Sequence, residues 1–329
     1  MDASNLVERF GLMAKELYEN YDTIADYSSN LEEKTILRDS GDRKCRFCGR
    51  KEGEVTFDKE AHALSNLISN NRIFSMYECD ECNGEYFKVI ESNYAEYMKL
   101  RHTLSQTHGK KGVPSYKPNS QSFSRIDVKG EFTAKMKEDE DPIAEIDSEK
   151  HLIHFKGKRT YIPNMVYKCL LKMALTVIPE GELPNVKNAM DYLMGRVKYN
   201  CKLPVIYRQY SGIQPFGRPI CFLYKRKEER PSKNVPKYLF LLAYSNFVFQ
   251  MYIPFCVEDK FMQGSEIKMV IIPTPEDLKQ IVKHDILWLE SDEKIVNEEV
   301  LMDMHFDCLE EKDLRKGDGE DKANEGHEK

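Results

Sequence analysis

Along the first 35 residues apolar side chains recur at three- and four-residue steps. Leu6, Phe10, Met13, Leu17 and Tyr21 would share one face, so the spacing predicts a helix over residues 5–35. Ser40-Gly41-Asp42 breaks that pattern. A second helical stretch covers residues 80–104, with Phe87, Ile90, Tyr94, Tyr97 and Met98 on one side. Residues 108–114 and the polar run 117–124 read as a loop. Pro163 suits the first position of a helix over 165–177, whose buried stripe would be Val166, Leu170, Leu171, Ala174 and Leu175, with Lys168 and Lys172 beside it. Another helix is expected over 183–197. Alternating or continuous apolar runs predict strands near 125–128, 143–146, 152–155, 204–210, 220–224, 238–244, 248–254, 269–272 and 286–289.

These elements imply an α+β protein. An N-terminal helical segment (1–40) is followed by a cysteine-bearing module (41–105) and a basic linker (106–124). A larger α+β domain with a mainly antiparallel sheet follows (125–291), and then an acidic tail (292–329), largely disordered. Composition adds little beyond a polar surface: 41% of residues are hydrophobic and 32% charged. No apolar run is long enough to cross a membrane, and the first residues lack the basic and apolar regions of a signal peptide. A cytoplasmic setting is therefore expected, with the nine cysteines reduced.

Charge changes the picture because it is uneven. Residues 292–329 hold 14 acidic and 6 basic side chains, a net of −8, which leaves +2 for residues 1–291 out of the total of −6. Arg43, Lys44, Arg46, Arg50 and Lys51 crowd one short stretch, and Lys110, Lys111 and Lys117 follow the module. The first five, with Lys110 and Lys111, are candidates for nucleic-acid backbone contact. A solvated linker explains the last three as well.

The chemistry concentrates in Cys45-x-x-Cys48 and Cys79-x-x-Cys82, which bracket a stretch containing His62. Reduced, paired CxxC turns match a tetrahedral zinc site far better than a redox motif. Gly49 and Gly84 allow close backbone approach beside them. A lone histidine is ordinarily a satisfied surface or core residue. Here Asn70 and Asn71 follow His62 within one loop, and Asn83 abuts the last cysteine.

Cys-x-x-Cys, a histidine after a strand, an asparagine, then Cys-x-x-Cys-Asn resembles the zinc-bearing HNH endonucleases of the His-Me finger superfamily, over residues 45–104. The resemblance implies a treble-clef ββα-metal module on a structural zinc held by Cys45, Cys48, Cys79 and Cys82. It implies His62 as general base for phosphodiester hydrolysis in DNA, with RNA left open. Asn70, or Asn71 in the other register, would steady the loop and the ring. Asn83 would bind a catalytic Mg²⁺ or Mn²⁺. Family members usually carry an Asp, Glu or His immediately before the base, and here that residue is Ala61. Glu60 is a candidate in its place, as are Glu85 and Glu91. Such modules in bacteria suggest a restriction or anti-phage effector, gated by an activating ligand or protein partner at the C-terminal domain, with a homo-oligomer possible. In that setting the acidic tail would act as a phosphate mimic over the basic patch.

A different class remains open: a zinc-stabilised nucleic-acid-binding module with weak or lost catalysis. Walker, GxGxxG and GxSxG motifs are missing, so nucleotide-driven, Rossmann and hydrolase-elbow chemistry have no support. His102 and His108 are expected at the surface, and His151 and His154 on or beside a strand. Cys169, Cys201, Cys221 and Cys256 are expected as buried small side chains, and the tyrosines and phenylalanines of 207–252 as sheet core.

Overall fold

A computed structural model describes residues 3–28, 33–229, 234–262, 267–278, 281–310 and 312. The chain begins with α1 (Ala3–Asn20), which ends earlier than its periodicity suggests. Tyr21 is fully buried and donates its hydroxyl to Pro236 O, and β1 (Tyr21–Asp26) pairs with a later strand. Tertiary pairing thus overrides local helical spacing. Residues 29–32 of the expected helix lie outside the described residues.

Short strands β2 (Thr35–Leu37), β3 (Ala61–His62) and β4 (Ile73–Ser75) form a small sheet, with β4 between a parallel β2 and an antiparallel β3. A π-helical turn at Cys82–Tyr86 leads into α2 (Phe87–Leu104). The predicted stripe Phe87, Ile90, Tyr94, Tyr97 and Met98 is buried throughout.

The hairpin of β5 (Arg125–Lys129) and β6 (Glu131–Lys135) follows, then β7 (Ala144–Asp147) and β8 (Leu152–Tyr161). Within the expected linker, Tyr116 is buried and its hydroxyl accepts from Lys158 N at 2.6 Å. α3 (Pro163–Val177) does start on its proline. It is apolar almost all round and correspondingly buried. α4 (Lys187–Leu193) is shorter than expected; turns precede it and Gly195, at φ 69°, ends it.

The remaining strands are β9 (Pro204–Tyr210), β10 (Phe216–Arg226), β11 (Tyr238–Ser245), β12 (Phe247–Tyr252), β13 (Ile281–Trp288) and β14 (Ile295–His305). One antiparallel sheet has the order β1-β10-β11-β12-β9-β13, and a second has the order β14-β8-β7. The protein is therefore α+β, with four α-helices and mainly antiparallel sheets among the described residues.

Every residue of β11 and β12 is buried, because both faces of the large sheet are covered. Phe240, Leu242 and Tyr244 join one apolar cluster; Leu239, Leu241 and Ala243 join another, with Leu17 of α1 and Val270. The first cluster also contains Cys45, Phe87, Tyr94, Leu170 and Leu171, so the cysteine module, α3 and the sheet share one core.

Two segments differ from their sequence reading. Residues 269–272 are irregular, not a strand. Their backbone is satisfied by side chains instead: Gln250 bonds Val270 O at 2.7 Å and Ile272 N at 2.9 Å, and Arg208 bonds Ile272 O at 2.9 Å. Residues 295–305, read as the start of a largely disordered tail, are instead strand β14. Its acidic residues meet basic partners on β8: Glu298 with Arg159, and Asp303 with His154 at 2.8 Å. Most residues beyond Leu309 lie outside the described residues. No described helix is long and apolar enough to cross a membrane.

Candidate metal centre and histidine site

Each CxxC turn is built by local backbone geometry. Gly49 has φ 81°, a conformation that disfavours a side chain, and its N–H closes the first turn on Cys45 O at 2.9 Å. Asn83 N closes the second on Cys79 O at 3.0 Å. The result is four sulfurs within 4.8 Å of one another. Cys45 Sγ lies 3.8 Å from Cys82 Sγ, and Cys48 Sγ 3.8 Å from Cys79 Sγ. An edge of about 3.8 Å is what a tetrahedron of thiolates with Zn–S bonds of about 2.3 Å requires. The cysteines are unoxidised, and Cys45, Cys79 and Cys82 are buried. This cluster can hold a metal ion such as zinc.

Crowding sets the thiols against one another. A hydrogen bond with Cys82 pulls Cys45 down to about 4, while the same contact pushes Cys82 far upward and burial pushes Cys79 up to about 11. One thiolate is tolerated readily; four need a cation.

The cluster clasps both ends of the hairpin that carries His62, since Cys45 and Cys48 precede β3 and Cys79 and Cys82 follow β4. Asp80, beside Cys79, ties the approach to β3 by accepting from Thr56 Oγ1 at 2.6 Å, Asp58 N at 2.9 Å and Lys59 N at 2.9 Å. His62 is half-buried, its ring 4.7 Å from that of Phe74 on β4. Asn66 Nδ2 lies 2.9 Å from His62 Nε2. The bond forms in either ring tautomer, with Nε2 accepting from the Asn66 amide nitrogen or, with that amide turned over, Nε2–H donating to Oδ1. Burial, then the charges of Lys172 and Lys110, lower the His62 pKa against the opposing pull of Glu91 and Glu60. The ring is therefore held neutral near pH 7.

Beneath the hairpin lies a charged group supplied partly by α3. Lys172 Nζ donates to His62 O at 3.0 Å and lies 2.9 Å from Glu78 Oε2. This ion pair is buried: the side chains of Lys172 and Glu78 are almost wholly shielded from solvent. Burial pushes the Glu78 carboxyl up. Burial works against the Lys172 charge, but the carboxylates of Glu78 and Glu91 outweigh it and raise its pKa.

The other expected site residues fall in distinct places. Asn70 is buried and braces the β3–β4 loop, donating to Leu64 O at 2.6 Å and Ile73 O at 2.9 Å and accepting from Arg72 N and Ile73 N. It thus steadies the loop, while the ring partner is Asn66. Asn71 is exposed. Asn83 is half-buried in the π-helical turn. Ala61 is fully buried. Glu60 is exposed and paired with Lys34, whose ammonium lies 4.6 Å from the Phe74 ring centroid. Glu85 is exposed, whereas Glu91 is half-buried and near enough for its charge to act on His62. Among the described residues, the four cysteines are the one group of three or more His, Cys, Asp or Glu side chains whose donor atoms converge.

The basic stretch divides. Arg46 is a structural cap: its guanidinium pairs with Asp39, bonds the carbonyls of Leu175, Thr176 and Ile178 at the end of α3, and stacks 3.7 Å from the Tyr77 ring centroid. It is not free for a nucleic-acid backbone. Arg43 pairs with Glu52 at 3.1 Å, Arg50 with Glu81 at 2.6 Å and Lys51 with Asp42 at 3.7 Å. Lys44, Lys110 and Lys111 are exposed. His108 is at the surface as expected, but His102 is not. It is buried against Tyr244, whose hydroxyl is 2.9 Å from Nε2, and burial lowers its pKa to about 3.

Comparison of the chain with models of known families, with curated proteins and with solved structures yields no match. Asn66, Glu78, Asp80 and Lys172 were not legible as site residues in sequence. Asn66 is one helical turn after His62 in a short 3₁₀ segment, a spacing that hints at contact. Lys172 gives no local signal, because it arrives from a helix 110 positions further along.

Proposed function

We propose that this protein is an HNH-type endonuclease with a treble-clef module on a structural zinc, acting on DNA with His62 as general base. The observation that supports it is the placement of His62 on the first strand of a hairpin that is clasped at both ends by four converging thiols and continues into α2. A zinc ion there would carry no reaction step; it would hold β3 and α2 at a set separation.

His62 would accept a proton from the attacking water through Nδ1. That requires the tautomer with its proton on Nε2, in which the Asn66 amide presents Oδ1 to accept from Nε2–H. The low His62 pKa suits a base that must be unprotonated at neutral pH. Exposed Lys110 and Lys111 would meet the phosphate backbone.

The test is nicking of supercoiled plasmid with Mg²⁺ or Mn²⁺, comparing wild type, His62→Ala and wild type with EDTA. Cleavage by wild type alone, lost by His62→Ala at unchanged zinc content and melting temperature, is expected. Cleavage retained by His62→Ala would remove the histidine from the base role.

A second reading, a zinc-stabilised nucleic-acid-binding module without catalysis, is favoured by buried Ala61 and by the lack of a converging second donor set among the described residues. DNA binding without added Mg²⁺ or Mn²⁺, by a zinc-bearing wild type that never cleaves, would select it.

A further inference from the structure

We propose that a cleft at the far end of α2 from the cysteines binds a small phosphorylated ligand of nucleotide size. The cleft has a volume of about 450 Å³, within the span usual for small-molecule sites. It lies where four parts of the chain meet: α2 contributes Lys99, the 115–120 loop contributes Lys117 and Asn119, β8 contributes Lys158 and Thr160, and β14 contributes Asn297.

The lining is rich in hydrogen-bond donors. Lys117 has no ion pair among the described residues. Lys99 and Lys158 are engaged by Glu96 at 3.3 Å and Asp141 at 2.7 Å, but those carboxylates are 48% and 83% exposed. Exposed pairs of this kind contribute about 0–1 kcal/mol, so either ammonium can turn to a ligand at little cost. Asn119 Oδ1 already accepts from Gln121 N and Ser122 N, each at 2.9 Å, which leaves its amide N–H groups to donate. Three ammoniums and two amides face one lining carboxylate, Glu96. Phosphate oxygens only accept, and they match this set; a metal cation or an apolar molecule does not.

A second observation points to the same place. β14 slips register against β8 between Ile295 and Glu298, and Asn297 within that slip has φ 54°. Its backbone N–H is held by Thr160 Oγ1 at 3.1 Å, while its side-chain amide has no partner among the described residues. Bulges of this kind re-aim side chains. The cleft volume of about 450 Å³ matches a small ligand, and a single-stranded oligonucleotide is the alternative that the test must separate from it.

The experiment is isothermal titration of the full chain with ADP, in parallel with inorganic phosphate, adenosine and a short single-stranded oligonucleotide. ADP should bind with a Kd below about 1 mM. Lys117→Glu and Lys158→Glu should each weaken it by about tenfold or more, the effect of losing a charge-assisted hydrogen bond. Asn297→Gly, which keeps the left-handed backbone and removes the amide, should also weaken it. All three variants should melt as wild type does. No heat with ADP or phosphate would overturn the proposal, as would ADP binding that Lys117→Glu leaves unchanged. Adenosine binding as tightly as ADP would show that phosphate is not what the cleft recognises. Binding of the oligonucleotide alone, with the same Lys117 dependence, would replace the small ligand by a nucleic-acid backbone.

Discussion

The strands around His62 are two and three residues long, whereas β11 and β12 at the centre of the large sheet have eight and six residues. The long strands are buried on both faces, between two separate apolar clusters. At roughly 1.5–3 kcal/mol for each large apolar side chain buried, they need no other support. Strands this short draw less on that source, although Ile73 and Phe74 of β4 are buried. Their position is set by the Asp80 bonds to residues 56–59, the Asn70 braces and the Lys172 contact with His62 O, to which a metal ion on the four cysteines would add a cross-link. The large sheet is held by area, and the histidine hairpin by a few directional contacts.

The sharpest way to break this contrast is Cys79→Ser. Zinc stoichiometry measured by elemental analysis should fall to near zero, and amides of residues 45–104 should lose hydrogen-exchange protection while β11 and β12 keep theirs. Structural zinc contributes on the order of 10 kcal/mol to such modules, so the loss should exceed that of any other single change. A metal-free variant with a fully protected hairpin would end the zinc assignment.

On the sheet side, Asp277→Ala would leave the Arg208 guanidinium buried without its carboxylate, which now lies 2.6 Å away. A loss of about 3–5 kcal/mol is expected by chemical denaturation, with zinc content unchanged. Lys172→Met tests the link between the regions. It strands Glu78, whose pKa burial already pushes up, so protonation can relieve part of the cost. Destabilisation of about 1–3 kcal/mol is expected, with enhanced exchange in the hairpin.

The smallest effect near neutral pH is a pH slope. His102 has its pKa lowered to about 3 in the folded protein, against 6.5 for the free side chain. The unfolded chain takes up a proton that the folded chain refuses, so His102 costs nothing above pH 6.5 and destabilises as pH falls from there toward 3. The slope should approach about 1.4 kcal/mol per pH unit, and His102→Gln should flatten it. Equal slopes in both proteins would show that other groups carry the acid sensitivity.

What could be read in sequence was what depends on neighbours along the chain. The two CxxC turns, the α2 stripe, the proline start of α3 and most strands of the large sheet follow from spacing alone. Failures cluster where a distant partner decides. Residues 21–26 are helical by period and a strand because β10 offers an edge. Residues 269–272 look like a strand, yet Gln250 and Arg208 take the bonds a ladder would have used. The apolar alternation of Val300, Met302 and Met304 in β14 was hidden among acids whose partners are on β8.

The site divides the same way. The sequence by itself determined the two CxxC turns and the histidine placed between them along the chain, because tight turns bring residues i and i+3 together wherever they fold; that the two pairs meet, Cys45 against Cys82 and Cys48 against Cys79, was decided by the tertiary structure. Only the tertiary structure decided how that histidine is held. Its ring partner is Asn66, its carbonyl partner is Lys172 from α3, and the arginine beside the first knuckle, Arg46, is committed to capping that same helix. Burial and long-range charge choose those partners, and neither is a property of local spacing.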